Sequence, residues 1–115
     1  DRKPAGESLV LAGRRDRMVK KRGYRVELGE IEQCLRRHEQ IESVATVAVS
    51  SESRVRIAAF YVTKGGLELS PLRLREFVGG NLPIWMMPDE FVGVSEIPRT
   101  STHKTDYRKL EEMLG

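Results

Sequence analysis

The sequence is short of the residues that usually mark an independent catalyst. It has a single cysteine, Cys34, so no internal disulfide can form, and the expectation is a reducing, cytoplasmic setting. Its only histidines are His38 and His103, which with one cysteine cannot make up a structural zinc site; no metal site is expected. There is no glycine-rich phosphate loop and no serine in a nucleophile-elbow pattern. No apolar run approaches the roughly 20 residues of a membrane span. The opening Asp1-Arg2-Lys3-Pro4 has no signal-peptide core behind it, and the chain reads as cut from something longer.

What is present fits one small, charged globular module. The 115 residues allow one domain, with 39% apolar and 32% charged residues. A chain of this size buries roughly two-thirds of its unfolded surface, which leaves little room for a large pocket of its own. Net charge is only +3, but it is uneven: the first 25 residues hold nine basic side chains against three acidic ones, and the remaining 90 hold eleven against fourteen. That asymmetry points either to an anionic partner near the N-terminal segment or to a solvated charged hairpin.

Periodicity sets the elements. The run Ser8-Leu9-Val10-Leu11-Ala12 is a short strand candidate that stops at Gly13. Met18-Val19 and Tyr24-Arg25-Val26 flank a basic turn centred on Gly23, a hairpin pattern. From Leu28 the spacing changes: Leu28, Ile31, Cys34, Leu35 and His38 recur at helical intervals, with acidic residues first and Arg36 and Arg37 last. Cys34 is then a small buried hydrophobe and His38 a helix residue. Residues 44–49 and 55–62 are β-branched apolar runs that read as paired strands. Ser70 and Pro71 open a second helix with Leu74, Phe77, Val78 and Leu82 on one face, ending around Gly79-Gly80. A short strand at residues 90–94 follows, then a polar stretch, then Thr105 as the cap of a last helix carrying Tyr107, Leu110 and Leu114. The order ββ-α-ββ-α-β-α implies an α+β sandwich: an N-terminal β-hairpin, then a mainly three-stranded sheet with helices packed on it.

Two chemical features remain. One is the basic loop from Arg14 to Arg25. The other is Lys104, set among Thr100, Ser101, Thr102 and Thr105, which suits a mobile loop able to bring an ammonium to a phosphate or carboxylate; on spacing alone, a solvent-exposed lysine explains it as well.

The string from Gly13 to Glu32, Gly-Arg-Arg-Asp-Arg-Met-Val-Lys-Lys-Arg-Gly-Tyr-Arg-Val-Glu-Leu-Gly-Glu-Ile-Glu, resembles the signature that opens the C-terminal subdomain of AMP-forming, adenylate-forming enzymes. Leu82-Pro83-Ile84-Trp85-Met86-Met87-Pro88 resembles a second signature of that superfamily, and Ile97-Pro98-Arg99-Thr100 through Lys104-Thr105-Asp106 its lysine motif. The wording of the first string is more similar to the amino-acid-activating domains of nonribosomal peptide synthetases than to fatty acyl-CoA synthetases.

The resemblance implies a lid subdomain of an ATP-dependent carboxylic-acid activating ligase, with residues 1–16 forming the end of a large domain and the hinge, and 17–115 the lid. In such enzymes a carboxylate attacks the α-phosphate of Mg-ATP, and a thiol, usually carrier-bound phosphopantetheine, then displaces AMP while the lid rotates between the two steps. Carried over, Lys104 is the adenylation lysine, Arg14 a nucleotide contact, Asp16 the hinge, and Lys20 with Gly23 the thiolation loop along which pantetheine passes. The implied partners are the large N-terminal domain in cis, a peptidyl or acyl carrier protein and a small carboxylic acid, with no nucleic acid and no membrane. ATP and Mg2+ are held mainly by that large domain, so the chain alone is expected to be inactive. The sequence departs from the pattern at His103, where glycine is common, at Tyr107, where arginine is common, and at Trp85, where tyrosine is common. Two alternatives stand beside this reading: the lid of an acyl- or aryl-acid:CoA ligase, and an independent basic interaction or RNA-binding module, for which Tyr24 is the one stacking residue of the hairpin.

Overall fold

The computed structural model describes residues 17–52 and 54–114. The strand candidate at residues 8–12, Arg14 and Asp16 lie outside the described residues. Strands β1 (Met18–Lys21) and β2 (Tyr24–Glu27) pair antiparallel with Lys21 opposite Tyr24, so only Arg22 and Gly23 form the turn. Both have positive φ, 54° and 85°, the backbone of a type I′ hairpin turn.

Helix α1 (Leu28–Arg36) buries Leu28, Ile31, Cys34 and Leu35, the face its spacing predicts. It stops short of His38. The N–H groups of Arg37 and His38 donate three residues back, to Cys34 and Leu35, which tightens the last turn as the chain swings into the next strand. His38 therefore sits beyond the helix, its Nδ1 accepting from the Gln40 N–H at 3.1 Å and its ring edge-on to Phe77 at 4.9 Å.

The main sheet has the order β3-β4-β5, from β3 (Ile41–Ser51), β4 (Arg54–Thr63) and β5 (Glu90–Gly93). β3 and β4 are antiparallel; β5 runs parallel to β4, and a parallel neighbour needs a crossover, which α2 (Pro71–Gly79) supplies. The Ser70 hydroxyl caps α2 by accepting from the Arg73 N–H at 3.2 Å, and Pro71 fills the first helical position where no N–H is needed. The last helix, α3 (Tyr107–Met113), is capped one residue later than the sequence suggests. The Asp106 carboxylate accepts from the Lys109 N–H at 3.1 Å, while Thr105 is held extended in a bridge to Arg99 and so is not placed to cap.

β4 is the middle strand and is buried on both faces, which explains its nearly unbroken apolar sequence. Ile57, Ala59 and Tyr61 face a core completed by α1 and α2 through Ile31, Leu35, Leu74 and Val78; Ala58, Phe60 and Val62 face a second core closed by Ile97 and Leu110. The expected α+β sandwich is thus present, with α1 and α2 on one side of the sheet and α3 on the other.

A Cβ added at Gly23 meets nothing within 4 Å, so the cost of a side chain there is conformational alone. Gly23→Ala is expected to lose about 1–2 kcal/mol of unfolding free energy for forcing an L-residue into the left-handed region. Arg22→Asn, which suits positive φ, is expected to gain about 0.5–1 kcal/mol, both read by denaturant titration.

Candidate functional site

Lys104 sits on a turn between Ile97, buried against the sheet, and α3. The Arg99–Thr105 bridge closes its base. Inside, the Thr100 N–H donates to the Lys104 carbonyl at 2.7 Å and the His103 N–H to the Thr100 carbonyl at 2.9 Å. The Thr100 hydroxyl accepts from the N–H groups of Thr102 and Lys104, both at 3.3 Å. The hydroxyl-rich composition suggests a mobile loop; in the structure the Thr100 hydroxyl ties a tight turn, with the Thr102 hydroxyl 3.0 Å from it.

His103, where the resembling enzymes commonly carry glycine, has φ of 68°. A non-glycine residue in that region costs about 1–3 kcal/mol, so the surrounding hydrogen bonds must hold it there. The Lys104 side chain is exposed and has no ion-pair or hydrogen-bond partner among the described residues. It borders a groove of about 580 Å3, together with Arg17, Glu30, Glu32, Arg36, Arg99 and Tyr107.

One wall of that groove rests on Glu32, 3% exposed although it is a carboxylate. Its Oε2 accepts from the Thr46 N–H at 2.7 Å, from Arg17 Nη1 at 3.0 Å and from the Tyr107 hydroxyl at 3.4 Å; Arg36 reaches Oε1 at 3.5 Å. Arg17 also donates to the Thr46 carbonyl and lays its guanidinium 3.9 Å from the Tyr107 ring centroid. Sequence reasoning counted Glu32 as one of several acidic residues favouring the start of a helix. A GEIE-type string gives no sign of which glutamate turns inward.

Lys20 and Gly23 are both exposed, and they lie at the far end of β1 from Arg17. Four strand residues span about 13 Å, so the hairpin tip and the Lys104 groove are separate places on the domain. Lys20 lines another groove, with Arg22, Arg54 and Asp89. The two signature strings meet physically where Tyr24 stacks on Trp85, ring centroids 5.0 Å apart and planes within 13°. A tryptophan in place of the common tyrosine therefore extends the stacking surface under β2.

Of the five basic residues from 17 to 25, three are consumed internally: Arg17 by Glu32, Lys21 by Asp89 and Arg25 by Glu27. The positive excess available to a partner is thus concentrated on Lys20 and Arg22 at the tip. Asp89, also missed by sequence reasoning, ties the hairpin to the sheet, since its carboxylate takes both Lys21 and the Ile57 N–H, the latter at 2.7 Å. Burial pushes the Asp89 carboxyl up, but the bonds from Lys21 and Ile57 and the charges of Lys21 and Arg22 outweigh it and hold the group below its ordinary value.

Residues 30–104 match the AMP-binding enzyme C-terminal domain. The chain belongs to this family. It is 38% identical over 108 residues to tyrocidine synthase 3 of Brevibacillus parabrevis, covering 94% of this chain and 2% of that protein. It is 40% identical over 103 residues to an L-proline--[L-prolyl-carrier protein] ligase of Streptomyces coelicolor, covering 89% of this chain and 19% of the ligase. Among solved structures, Klebsiella oxytoca NpsA in complex with 3-hydroxyanthranilyl-AMSN superposes with a TM-score of 0.74 at 31% identity, over 86% of this chain and 20% of that one. The amide bond synthetase McbA from Marinactinospora thermotolerans does so with a TM-score of 0.78 at 25% identity, over 84% and 20%. The chain thus spans a fifth or less of these relatives.

Among the described residues, no group of three or more His, Cys, Asp or Glu side chains could hold a metal ion. No helix of the described residues is long and apolar enough to cross a membrane.

Because the Asp89 pKa is lowered on folding, its stabilisation is fully present above the ordinary carboxylate range, near pH 4, and is lost as pH falls through the lower folded value. Asp89→Asn is expected to be less stable than the parent by about 1 kcal/mol or less at neutral pH. That difference should shrink below about pH 4, as followed by denaturant unfolding at several pH values. A difference that stays constant with pH would contradict the assignment.

Proposed function

We propose that this chain is the lid of an ATP-dependent ligase that activates an amino acid as its adenylate and passes it to a carrier-bound phosphopantetheine thiol. Residues 17–115 form the lid, and residues 1–16 end the large domain and contain the hinge at Asp16. The observation that carries the proposal is Lys104: an unpartnered ammonium held at the rim of a groove by a hydrogen-bonded turn, within the string that resembles the superfamily's lysine motif. Its role is to stand between two anions, the attacking carboxylate and the α-phosphate of ATP, and to offset the charge that develops as they meet. Arg14 is assigned to the nucleotide.

The second half of the cycle falls to the hairpin. Lys20 offers a charge to the phosphate of the pantetheine arm, and Gly23 keeps the tip free of a side chain so that the arm can run close to the backbone. Support for a carrier-bound acceptor comes from the prolyl-carrier-protein ligase and the peptide synthetases among the relatives. The structural likeness to an anthranilate CoA ligase, at 24% identity and a TM-score of 0.74, supports the shared fold only. A lid of an acyl- or aryl-acid:CoA ligase is therefore the competing reading, and transfer by the complete enzyme to free coenzyme A rather than to holo-carrier alone would establish it.

In the complete enzyme, Lys104→Ala is expected to slow adenylate formation by about 100- to 1000-fold, the usual loss for one such contact, and to spare thiolation of a preformed adenylate. Gly23→Trp should do the reverse, with Gly23→Ala as the control for backbone strain. Equal loss in both half-reactions would overturn the division of roles. The purified 115-residue chain is expected to show no ATP–pyrophosphate exchange, and robust exchange would mean that the catalytic groups are not on a separate domain.

A further inference from the structure

The interior of the lid is organised around a charge whose partner comes from an unusual place in the chain. Glu32 is almost fully buried, and a buried carboxylate needs a cation or a full set of donors. Arg36 is a weak candidate, 55% exposed and at 3.5 Å. Arg17, 15% exposed, approaches to 3.0 Å and is itself fixed on three sides: by Glu32, by the Thr46 carbonyl and by the Tyr107 ring. Its own carbonyl accepts from the Leu28 N–H at 2.9 Å.

The Tyr107 hydroxyl stands 3.4 Å from the same Glu32 oxygen, so a guanidinium placed at position 107 is within reach of that carboxylate. We propose that Arg17, the cation that neutralises Glu32, acts as a positioning residue by fastening the segment next to the hinge to the groove that carries Lys104. Tyr107 serves as the face on which its guanidinium stacks.

The consequence is mechanical. Arg17 follows Asp16 directly, so the first residue past the hinge is bonded to α1, β3 and α3 at once, and with Glu32 and Tyr107 it borders the Lys104 groove. A rotation applied at the hinge is delivered to the lysine without slack. The charge half of the proposal stands on the Glu32 contacts alone; the mechanical half rests on the lid reading above.

The test uses the complete enzyme in four forms: parent, Arg17→Met, Tyr107→Arg and the double variant. Arg17→Met is expected to lower the thermal midpoint by several degrees, and adding Tyr107→Arg to restore it by supplying a second guanidinium to Glu32. Single-turnover adenylation by the double variant is expected to stay about 10- to 100-fold below the parent, because the lysine end is no longer fastened to the hinge and small misplacements are costly in rate. The KM for ATP should be unchanged, a split that a stability role alone would not give. An unchanged midpoint in Arg17→Met overturns the charge assignment. Restoration of both midpoint and rate in the double variant overturns the positioning role. If Arg17→Met does not fold, recovery of folded protein by Tyr107→Arg supports the charge assignment and failure to recover opposes it. Lys104→Ala in the parent separates the two layers: no effect of that change on adenylation would sink the lid reading while leaving the midpoint result to judge the charge assignment.

Discussion

The carboxylate of Glu32 must be satisfied before the rest of the domain can pack over it. An ionised side chain at 3% exposure is tenable only with paired charge and filled lone pairs, and taking one partner away from such a group usually costs about 3–5 kcal/mol. Its donors come from four places: Arg17 before β1, Arg36 on its own helix, the backbone of β3 at Thr46, and Tyr107 at the start of α3. α1 lies on one face of the sheet and α3 on the other, so this polar cluster joins two layers that the two apolar cores treat separately. Hydrophobic burial alone would let α3 slide along its face. The Asp106 cap and the Tyr107 hydroxyl, 3.4 Å from the Glu32 carboxylate, fix where it starts, and with it where the turn carrying Lys104 ends.

The fold was largely legible because its signals are local. Leu28, Ile31, Cys34 and Leu35 repeat at helical spacing and are buried together; Ser70-Pro71 begins a helix for reasons contained in those two residues. The apolar run of β4 marked a strand, and its double burial follows from its central place between β3 and β5. The two local errors have local causes. Apolar periodicity carried α1 on to His38, whose ring does pack on Phe77, but from a turn whose backbone bonds had already tightened. Thr105 was favoured as a cap by residue type, although Asp106 is an equally good one and the bridge to Arg99 decided between them.

The candidate site was only half legible, for a physical reason. Lys104, Lys20 and Gly23 could be picked out because motif strings carry them. Glu32 and Asp89 could not, since each matters through partners distant in sequence: Tyr107 is 75 residues from Glu32, and Lys21 is 68 from Asp89. These two carboxylates consume Arg17 and Lys21 from the basic segment, so a charge count over the first 25 residues overstates what the surface offers. Among the described residues of that segment, the excess that remains is at the hairpin tip, on Lys20 and Arg22, at the far end of β1 from Arg17 and the groove of Lys104. Under the proposed division of roles, a rigid body with its two ends so separated brings only one of them to a single reaction centre at a time, which favours a domain that works by changing orientation.

His103 shows how the turn can carry its lysine without the usual glycine. A glycine at that position would reach positive φ freely, but it would also leave Lys104 on a backbone with many accessible conformations. Histidine makes the same φ of 68° costly, and the cost is met by bonds that converge on Thr100: its N–H to the Lys104 carbonyl, its carbonyl from the His103 N–H, and its hydroxyl from Thr102 and Lys104. Three of these four bonds involve residue 103 or 104 directly. A histidine there therefore exchanges backbone freedom for a preset direction of the Lys104 Cα–Cβ bond, and the ordering entropy is met on folding. Such a turn is effective only if its base is equally fixed; the Arg99–Thr105 bridge closes that base, and the start of α3 just beyond it is held where Tyr107 meets Arg17 and Glu32. The backbone strain at His103 and the buried charge at Glu32 thus serve one end: they hold the exposed Lys104 ammonium in place relative to Arg17 and the start of β1.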